Sequence, residues 1–496
     1  MTARVQIALT QILLVLALSF SAPAQEVLNV DANANARPFP HFWEQMFGSG
    51  RAILSLRDSY REDLREVKQV TEFRYVRFHA ILHDEVGVYD EDEHGNPVYN
   101  FSYVDQIEDG LLQNGVRPVV EISFMPRKLA AKEAIHPFWY KENVSPPKSY
   151  ERWDDLIRRM AQHLVDRYGV DEVAQWYFEV WNEPNIDFWA GEPKQATYFE
   201  LYDHTARALK SVNPRLRVGG PATAAAGWVP EFLAHAAKEH VPVDFVSSHG
   251  YADDTPQNLF HTNADIPVSE RVCGAIMMVH EQIGASAFPN IPLFWTEWNV
   301  PGKDEARDTI YAPAALANTI PQCDGSVAMM SWWTFDDVFE EQGVVRNPFH
   351  GGFGLIAAGG IKKPTYYGFA LLHKLGDERL PVDSRDVLVT RHNDGRIVVA
   401  AWNLVELGET GTTRKLRLNF RGVPRDAKVT VNRIDETHSN PLATYKTMGE
   451  PQYPTRAQID KLNLTSKLQP TEESLQNGAF ELELQRNALI VLEVSK

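Results

Sequence analysis

The sequence predicts an α/β fold in which a (β/α)8 TIM barrel is followed by an accessory β-sandwich domain. Short apolar segments alternate eight times with amphipathic helical segments between Phe42 and Leu375. Strict alternation of this kind indicates parallel strands with crossover helices, and eight such units close into a barrel. After Leu380 the pattern changes to short strands with a period of two residues, separated by turns such as Asn393-Asp394-Gly395. That second pattern is typical of a sandwich.

Each predicted barrel strand is short and rich in β-branched or aromatic residues. In chain order the strands are Phe42–Gly48, Phe73–His79, Arg117–Ser123, Tyr177–Val180, Leu216–Gly220, Val243–His249, Pro292–Glu297 and Val327–Trp333. The helices that follow them are Asp58–Val70, Tyr103–Leu112, Ser149–Tyr168, Tyr198–Val212, Pro230–Glu239, Val268–Ile283, Ala312–Ile320 and Pro364–Leu375. A doubly wound open sheet is the alternative topology. Such a sheet usually carries a Gly-rich phosphate turn, and Gly219-Gly220-Pro221 does not fit that pattern.

The amino terminus predicts a secretory signal peptide over residues 1–24. Arg4 supplies a positive start, Ile7–Phe20 is an almost continuous apolar run, and Ala22-Pro23-Ala24 fits a small-x-small cleavage site. The run is short for a transmembrane helix, and no second apolar span follows. The expected location is therefore secreted or periplasmic, with no membrane partner after cleavage.

The remaining domain boundaries follow from the change in pattern. Residues 25–36 hold the alternating segment Val27–Val30, which we assign to the sandwich because a closed barrel has no place for a ninth strand. The barrel then covers residues 37–378 and the sandwich residues 379–496. Residues 450–476 are polar and weakly patterned, and we interpret them as a long surface loop.

Charge and cysteine content limit the partners of this protein. The formal net charge of −17 disfavours nucleic acid and anionic membranes, whereas carboxylates suit a neutral polyhydroxyl ligand. Cys273 and Cys323 lie in apolar helical segments, and we interpret them as buried free thiols. No spacing of His, Cys and acidic residues predicts a metal site, and we expect no cofactor. The sequence leaves the oligomeric state open.

Polar and aromatic residues gather where the predicted barrel strands end. TIM-barrel enzymes place their chemistry at this carboxyl-terminal face. The residues at the strand ends are His79, Phe124, Asn182, Glu183, His249, Glu297 and Trp333. Because the strand interiors are apolar, this enrichment indicates a functional site at the mouth of the barrel.

Glu183 is the first candidate for chemistry. It ends an apolar strand, Pro184 stops the strand behind it, and Trp181, Phe188 and Trp189 lie close in sequence. Apolar surroundings raise the pKa of a carboxyl group, which suits a general acid. From this stretch alone, a structural Glu that caps the following turn is an equally good interpretation.

Glu297 supplies a second carboxylate at the end of strand seven. Strands four and seven lie on opposite sides of an eight-stranded barrel, so Glu183 and Glu297 can face each other across its mouth. Such a pair is the machinery of glycoside hydrolysis. One carboxyl protonates the leaving oxygen, and the other attacks the anomeric carbon when the gap is about 5–5.5 Å or activates water when it is wider.

Residues around this pair have side chains that suit a sugar. Indole rings can stack on a pyranose face, and Asn, His, Tyr and Glu can bind its hydroxyl groups. The stacking candidates are Trp139, Trp189 and Trp333, and the hydroxyl-binding candidates are His79, Asn182, His249, Tyr251, Glu340 and Glu341. For each His or Trp the alternative is core packing, and for Glu340-Glu341 it is a solvated loop. We expect Glu121 and Glu179, inside strands, to pair with Arg77 or Arg117 rather than to react.

Five motifs together resemble glycoside hydrolase family 39, and most closely its bacterial β-xylosidases. They are Trp181-Asn-Glu-Pro-Asn185, His249-Gly-Tyr251, Trp295-Thr-Glu-Trp-Asn299, Trp333-Thr-Phe-Asp-Asp-Val-Phe-Glu-Glu341 and Phe349-His-Gly-Gly-Phe-Gly354. The Asn-Glu-Pro motif alone indicates only the wider barrel clan. The resemblance extends from about Phe42 to Leu375 and continues through the sandwich.

This resemblance implies a retaining exo-β-xylosidase that releases xylose from non-reducing ends through a covalent glycosyl-enzyme. Glu183 matches the acid/base of the family and Glu297 its nucleophile. The positions that match sugar contacts are His79, Phe124, Asn182, Trp189, His249, Tyr251, Trp333, Glu340 and Glu341. The resemblance to this family also implies that the substrates are oligosaccharides.

Other interpretations stay open at this point. Arg127-Lys128 is more basic than expected of a xylosidase and favours an acidic or decorated substrate. α-L-Iduronidase is a second activity of the family, but Glu340-Glu341 would oppose the carboxylate of a uronide. Arabinosidase or galactosidase specificity and a non-catalytic carbohydrate-binding protein are the further alternatives.

Overall fold

The computed structural model describes residues 25–495, and the predicted signal peptide, residues 1–24, lies outside the described part of the chain. Eight strands form a closed barrel, and every neighbouring pair in it is parallel. They follow one another around the barrel in chain order, and the eighth pairs with the first. The predicted (β/α)8 barrel is therefore confirmed.

The barrel strands are short and buried, as the sequence indicated. They are Met46–Arg51, Tyr75–His79, Arg117–Ile122, Tyr177–Val180, Arg217–Thr223, Phe245–His249, Leu293–Trp298 and Met329–Trp332. The largest difference is in strand one, which begins at Met46 rather than Phe42. Phe42 and Trp43 are buried in the turn before it, so their apolar character reflects core packing and not strand structure.

Helices surround the barrel and pack apolar residues against it. The α-helices of this domain are Asp58–Lys68, Ser102–Gln113, Tyr150–Tyr168, Val170–Val173, Lys194–Val212, Val229–Glu239, Pro256–Phe260, Val268–Gly284, Tyr311–Cys323 and Pro364–Leu372, with 3-10 turns at Ala52–Leu56, Ala224–Ala226 and Lys303–Asp308. In Tyr150–Tyr168 the predicted stripe of Trp153, Ile157, Met160 and Leu164 is buried. Between residues 25 and 495, no helix is both long and apolar enough to cross a membrane.

Two sheets share a second hydrophobic core, formed largely by the carboxyl-terminal part of the chain. In spatial order, the smaller sheet contains Glu26–Asp31, Arg414–Arg421 and Ala479–Leu484, and the larger contains Arg37–Pro38, Glu378–Leu380, Val387–Arg391, Ile397–Trp402, Leu489–Val494, Lys428–Ile434 and Thr471–Ser474. Leu28 and Leu418 from the first sheet pack with Val399 and Leu492 from the second. The early strand Glu26–Asp31 pairs in parallel with Arg414–Arg421 and stays outside the barrel. Two short hairpins, Tyr89–Glu91 with Pro97–Tyr99 and Ile356–Ala357 with Ile361–Lys362, complete the strands.

The prediction of a long loop over residues 450–476 is wrong. This segment contains the helix Arg456–Ser466 and the strand Thr471–Ser474, after a shorter helix at Pro441–Thr447. Thr455 and Gln458 form a capping box at the start of the second helix. Leu462 is buried against Ile361 of the second hairpin. The helix is stabilised by that tertiary contact, which a weak apolar pattern does not reveal.

The prediction of free thiols is also wrong. Cys273 and Cys323 form a disulfide, and their Cα atoms are 5.0 Å apart. The two residues lie on the helices Val268–Gly284 and Tyr311–Cys323, which pack side by side around the barrel. Because 50 residues separate them in sequence, only the packing of these helices brings them together.

Candidate active site

Glu183 projects from the loop that follows barrel strand four, Tyr177–Val180. Its backbone N–H donates to the carbonyl oxygen of Ala222 on strand five, 2.8 Å away. Its φ of +42° lies in the left-handed region, so the backbone turns sharply where the strand ends. The side chain is 13% exposed. The carboxyl group therefore lies in the wall of the site with a narrow access to solvent.

Glu297 lies near the end of strand seven, and both of its carboxylate oxygens are held. Oε1 accepts a hydrogen bond from Nη1 of Arg77 at 2.6 Å, and Oε2 accepts one from the Tyr251 hydroxyl at 2.7 Å. The side chain is 6% exposed. These two bonds orient the carboxylate toward the mouth of the barrel.

The two carboxyl groups face each other across a short gap. Nδ1 of His249 lies 3.0 Å from Oε1 of Glu183 and 3.6 Å from Oε1 of Glu297. One oxygen from each Glu and a nitrogen of His249 all lie within 4.8 Å of one another. Retaining glycosidases place their carboxyl groups about 5–5.5 Å apart, and inverting enzymes about 6.5–9.5 Å apart. The observed gap belongs to the first arrangement.

Arg77, inside strand two, connects these groups to the barrel interior. Its guanidinium lies 2.7 Å from Glu121, 2.5 Å from Glu179 and 2.6 Å from Glu297, and it donates to Oδ1 of Asn182 at 2.9 Å. All four partners and Arg77 itself are buried. The expectation that Glu121 and Glu179 pair with Arg77 is confirmed. Its direct bond to Glu297 was not predicted, because a single Arg inside an apolar strand carries no sequence signal for a third carboxylate.

Burial controls the protonation of Glu183. Loss of solvation raises the pKa of its carboxyl to about 8, the nearby positive charge of Arg77 opposes that rise, and the negative charge of Asp254 adds to it. His249 is also buried, and this loss of solvation lowers its pKa to about 4. At neutral pH a protonated Glu183 therefore faces a neutral imidazole, as a proton donor to a leaving group requires.

His79 and Glu341 form the opposite wall of the site. Nδ1 of His79 lies 2.6 Å from Glu121, and its Nε2 lies 3.9 Å from Glu297 and 3.7 Å from Glu341. Burial, followed by the charge of Arg77, lowers the pKa of His79 to about 3. Burial, followed by the charge of Glu297, raises the pKa of Glu341 well above its usual range. A neutral imidazole and a protonated carboxyl can each donate and accept hydrogen bonds with sugar hydroxyls.

Aromatic rings complete the pocket. The Trp333 ring centroid lies 4.7 Å from that of His79 and 5.3 Å from the Arg77 guanidinium carbon. Gly48 lies inside strand one, and a Cβ atom there would be 2.0 Å from the Trp333 ring, so only glycine fits. The Gly48-Ser-Gly50 sequence was an available but weak signal for this contact. Phe124 packs edge-to-face against Trp181, with centroids 5.5 Å apart.

Two predicted sugar-binding residues have other partners in the structure. The indole N–H of Trp189 donates to the Thr197 hydroxyl at 3.0 Å, and its ring packs edge-to-face on Trp181. Trp189 therefore supports the wall from behind. Glu340 is paired with Arg57 through both oxygens and with Arg51 at 3.0 Å. Although burial opposes it, the hydrogen bonds and charge of these arginines lower the pKa of Glu340.

The loop of residues 124–148 covers one side of the mouth. The backbone N–H of Trp139 donates to the carbonyl oxygen of Glu341 at 2.9 Å, which ties this loop to the one after strand eight. The Arg51 guanidinium carbon lies 5.6 Å from the Trp139 ring centroid and 5.1 Å from that of Tyr140. Trp139 is 52% exposed and lies on the rim rather than beside the carboxylates. By contrast, Arg127 and Lys128 are exposed and face Asp84 and Asp90 at 3.8 Å each.

This chain is similar over most of its length to several known proteins. The profile of glycosyl hydrolases family 39 matches residues 26–477. A β-xylosidase from Geobacillus stearothermophilus is 38% identical over 491 residues, which are 95% of this chain and 96% of that protein. A crystal structure of a monomeric β-xylosidase from Caulobacter crescentus CB15 superposes with a TM-score of 0.86 at 34% identity and covers 95% of this chain and 99% of that one. Human α-L-iduronidase is 32% identical over 124 residues, which are 25% of this chain and 17% of that protein.

Proposed function

Because this chain belongs to glycosyl hydrolase family 39, we propose that it is a retaining β-xylosidase that acts from the non-reducing ends of xylo-oligosaccharides. It is a glycoside hydrolase, and its substrates are oligosaccharides. The gap of at most 4.8 Å between carboxylate oxygens of Glu183 and Glu297 carries the proposal of retention.

In the first step of this mechanism, Glu183 gives its proton to the glycosidic oxygen while Glu297 attacks the anomeric carbon. Arg77 and Tyr251 hold Glu297 in position with bonds of 2.6 and 2.7 Å. The negative charge of the Glu297 carboxylate is consumed as the covalent bond forms. In the second step water attacks the same carbon and gives a proton to Glu183, which is now ionised. The bond between that carbon and the Glu297 oxygen breaks, so Glu183 is again protonated and Glu297 is again a carboxylate.

Exo action is supported by the covered side of the mouth. Residues 124–148 are joined to the loop after strand eight by the hydrogen bond from Trp139 N–H to the Glu341 carbonyl oxygen, so they cover one side of the mouth. A pocket that is closed at one end accepts a terminal sugar unit. His79 and His249 are neutral hydrogen-bonding groups for that unit, Glu341 is a further one with a raised pKa, and Trp333 supplies an apolar face beside them.

A uronide is the second candidate substrate, and one observation favours keeping it. The charge of Glu340, which was expected to repel a uronate, is compensated by Arg51 and Arg57, and Arg57 is 45% exposed. Glu341 has a raised pKa and adds no fixed negative charge when protonated. In the folded protein Glu340 and Glu341 therefore repel a uronate less than their sequence alone indicated.

The test is a panel of 4-nitrophenyl glycosides that includes the β-D-xyloside, an α-L-arabinoside, a β-D-galactoside and the α-L-iduronide. We expect the highest kcat/KM for the β-D-xyloside, and proton NMR should detect β-xylose as the first product. Higher activity on another glycoside would overturn the substrate. First release of the α-anomer would overturn the retaining mechanism, and binding of xylobiose without turnover of any glycoside would favour a binding protein.

Export is the second part of this proposal. The apolar run of residues 7–20 after Arg4 supports it, and so does the Cys273–Cys323 disulfide, because disulfides persist in oxidising compartments. The net charge of −17 is consistent with a protein that has no nucleic-acid partner. Amino-terminal sequencing of the protein from the periplasm or medium should begin at Gln25. An intact Met1 on cytoplasmic protein would contradict export.

A further inference from the structure

Three metal-ligating side chains meet at the end of the barrel opposite the active site. His41 and Glu44 lie in the turn before strand one, and His373 caps the last barrel helix, Pro364–Leu372. Strand one begins at this end of the barrel, and the last helix returns to it. We refer to His41, Glu44 and His373 as the closed-end cluster.

The donor atoms of this cluster face one another. Nδ1 of His41 lies 2.5 Å from Oε1 of Glu44, and Nδ1 of His373 lies 3.0 and 3.1 Å from its two oxygens. One ligand atom from each residue lies within 4.8 Å of the others. The His41 ring is stacked on Trp43 with centroids 4.5 Å apart, which fixes its orientation.

We propose that the closed-end cluster binds a divalent transition-metal ion, with Zn²⁺ as the best match to its donors. Two imidazole nitrogens and one carboxylate are a recognised three-ligand set for zinc, with water in the remaining position. Bonds of about 2.0–2.2 Å in a tetrahedral site separate neighbouring ligand atoms by about 3.3–3.6 Å. The His373–Glu44 pair is close to that spacing, and the His41–Glu44 pair reaches it by a small side-chain rotation.

Burial and charge favour a cation at this position. Glu44 is fully buried, and a buried carboxylate needs a compensating charge. Lys374, which follows His373 in sequence, is engaged by Glu493 of the sandwich at 2.6 Å. His373 is 40% exposed, which leaves a path for the ion and space for a bound water.

The expected consequence is structural rather than catalytic. An ion here would cross-link the segments that enter and leave the barrel, which are also joined by a 2.7 Å hydrogen bond from Phe39 N–H to the Asp377 carbonyl oxygen. A ligand that binds only the folded state stabilises it by an amount that grows with the logarithm of the ratio of ligand concentration to Kd. At 100 times the Kd we therefore expect a rise in Tm of about 2–3 °C for a chain of this length.

The experiment titrates ZnCl2 into the full-length, chelator-treated protein by isothermal calorimetry and follows Tm and xyloside hydrolysis in parallel. We expect one ion per chain with a Kd on the order of micromolar or tighter, higher Tm and unchanged kcat/KM. His373→Ala should abolish both binding and the Tm shift, and it should keep wild-type activity. His280→Ala is the matched control, because His280 is an exposed histidine on another helix.

Without an ion, the two imidazoles and Glu44 satisfy one another by hydrogen bonds. The variants therefore have to distinguish the hydrogen-bonded cluster from the metal-bound one. Glu183, His249 and Glu297 also present converging donors. If binding survives in His373→Ala and is lost in His249→Asn, the ion occupies the catalytic pocket and the proposal is wrong. Absence of binding, or binding only at millimolar ZnCl2, would equally overturn it. An anomalous diffraction peak at the zinc edge between Glu44 and His373 would support it directly.

Discussion

The interior of the barrel contains an apolar layer and a charged layer. Near the amino ends of the strands an apolar layer fills the space, built from Met46, Val119, Phe245, Phe294 and Met329 with Tyr75 and Tyr177 against it. Near the carboxyl ends, Arg77 contacts Glu121, Glu179 and Glu297. The first layer contributes hydrophobic stabilisation. The charged layer costs free energy, because several charges lose their solvation there, and a well-packed apolar layer would avoid this cost.

Single strands contribute to both layers, so the difference is not one of local structure. Strand seven carries Phe294 in the apolar layer and Thr296, whose hydroxyl donates to Glu179 at 2.8 Å, in the polar one. Strand four similarly carries Tyr177 and Glu179. The barrel therefore separates stability from chemistry along the length of these strands.

The strongest way to test this separation is to remove the proposed nucleophile. Glu297→Ala should lower kcat/KM on 4-nitrophenyl β-D-xyloside by on the order of 10⁴-fold or more, because the covalent step has no other acceptor. Azide should restore turnover and give the glycosyl azide of inverted configuration. The urea unfolding midpoint is the control for folding. An azide product of retained configuration would exchange the roles of Glu297 and Glu183.

Glu183 gives the next largest expected effect. Glu183→Ala should reduce kcat/KM on xylobiose by about 10²–10⁴-fold, the usual contribution of a general acid. The loss should be smaller with 4-nitrophenyl β-D-xyloside, because 4-nitrophenolate leaves without a proton. Azide should give the β-glycosyl azide.

The pH profile tests the same residue. The proton on Glu183 is present below its pKa and lost above it, so wild-type kcat/KM should fall as pH rises through about 8. Glu183→Gln should lose this alkaline limb. Its persistence in the variant would assign the limb to another group, since His79 and His249 have pKa values of about 3 and 4.

Arg77→Lys probes the charged layer itself. One ammonium cannot bond Glu121, Glu179, Glu297 and Asn182 together, so Glu297 should lose its fixed position. We expect kcat/KM to fall by about 10²-fold, as small misplacements of reacting groups cause. The matched control is Arg117→Lys, because Arg117 pairs with Glu172 at 2.7 Å on the outside of the barrel. Equal losses in the two variants would show that the charged layer acts only through general stability.

Phe294→Ala should have the smallest effect on chemistry and a large one on stability. The ring is buried between Phe245 and Tyr177, with centroids 4.9 and 4.7 Å away. Its removal should lower the free energy of unfolding by about 3–5 kcal/mol, measured by urea denaturation, while kcat/KM of the folded protein stays near the wild-type value. The free energy of unfolding of Phe294→Leu should lie between those of the wild type and Phe294→Ala. A catalytic loss as large as that of Arg77→Lys would break the separation of the layers.

Much of this arrangement was predictable from sequence, because it depends on local patterns. Alternating apolar segments predicted eight parallel units, and the strand ends pointed to His79, Glu183, His249 and Glu297. The failures have a common physical cause. The Cys273–Cys323 disulfide and the helix Arg456–Ser466 both depend on contacts with segments far away in sequence.

The orientation of Glu297 shows where local patterns stop. In a regular strand it would point away from the face that carries Thr296. Register shifts occur beside it, between Ser248 and His249 and between Trp295 and Trp298, and such irregularities redirect side chains at barrel rims. A sequence pattern contains no information about where a ladder shifts register.

Residue periodicity and turn chemistry are local properties. From them the sequence alone predicts the barrel, the accessory strands and a pair of glutamates at the carboxyl ends of two barrel strands. Only the folded chain brings carboxylate oxygens of Glu183 and Glu297 within 4.8 Å of each other, bonds Arg77 to Glu297 and pairs Glu340 with Arg51 and Arg57. These depend on barrel closure and strand register, which bring side chains from distant parts of the chain within hydrogen-bonding distance. The protonation of Glu183 belongs with them, because burial by the folded chain is what raises its pKa.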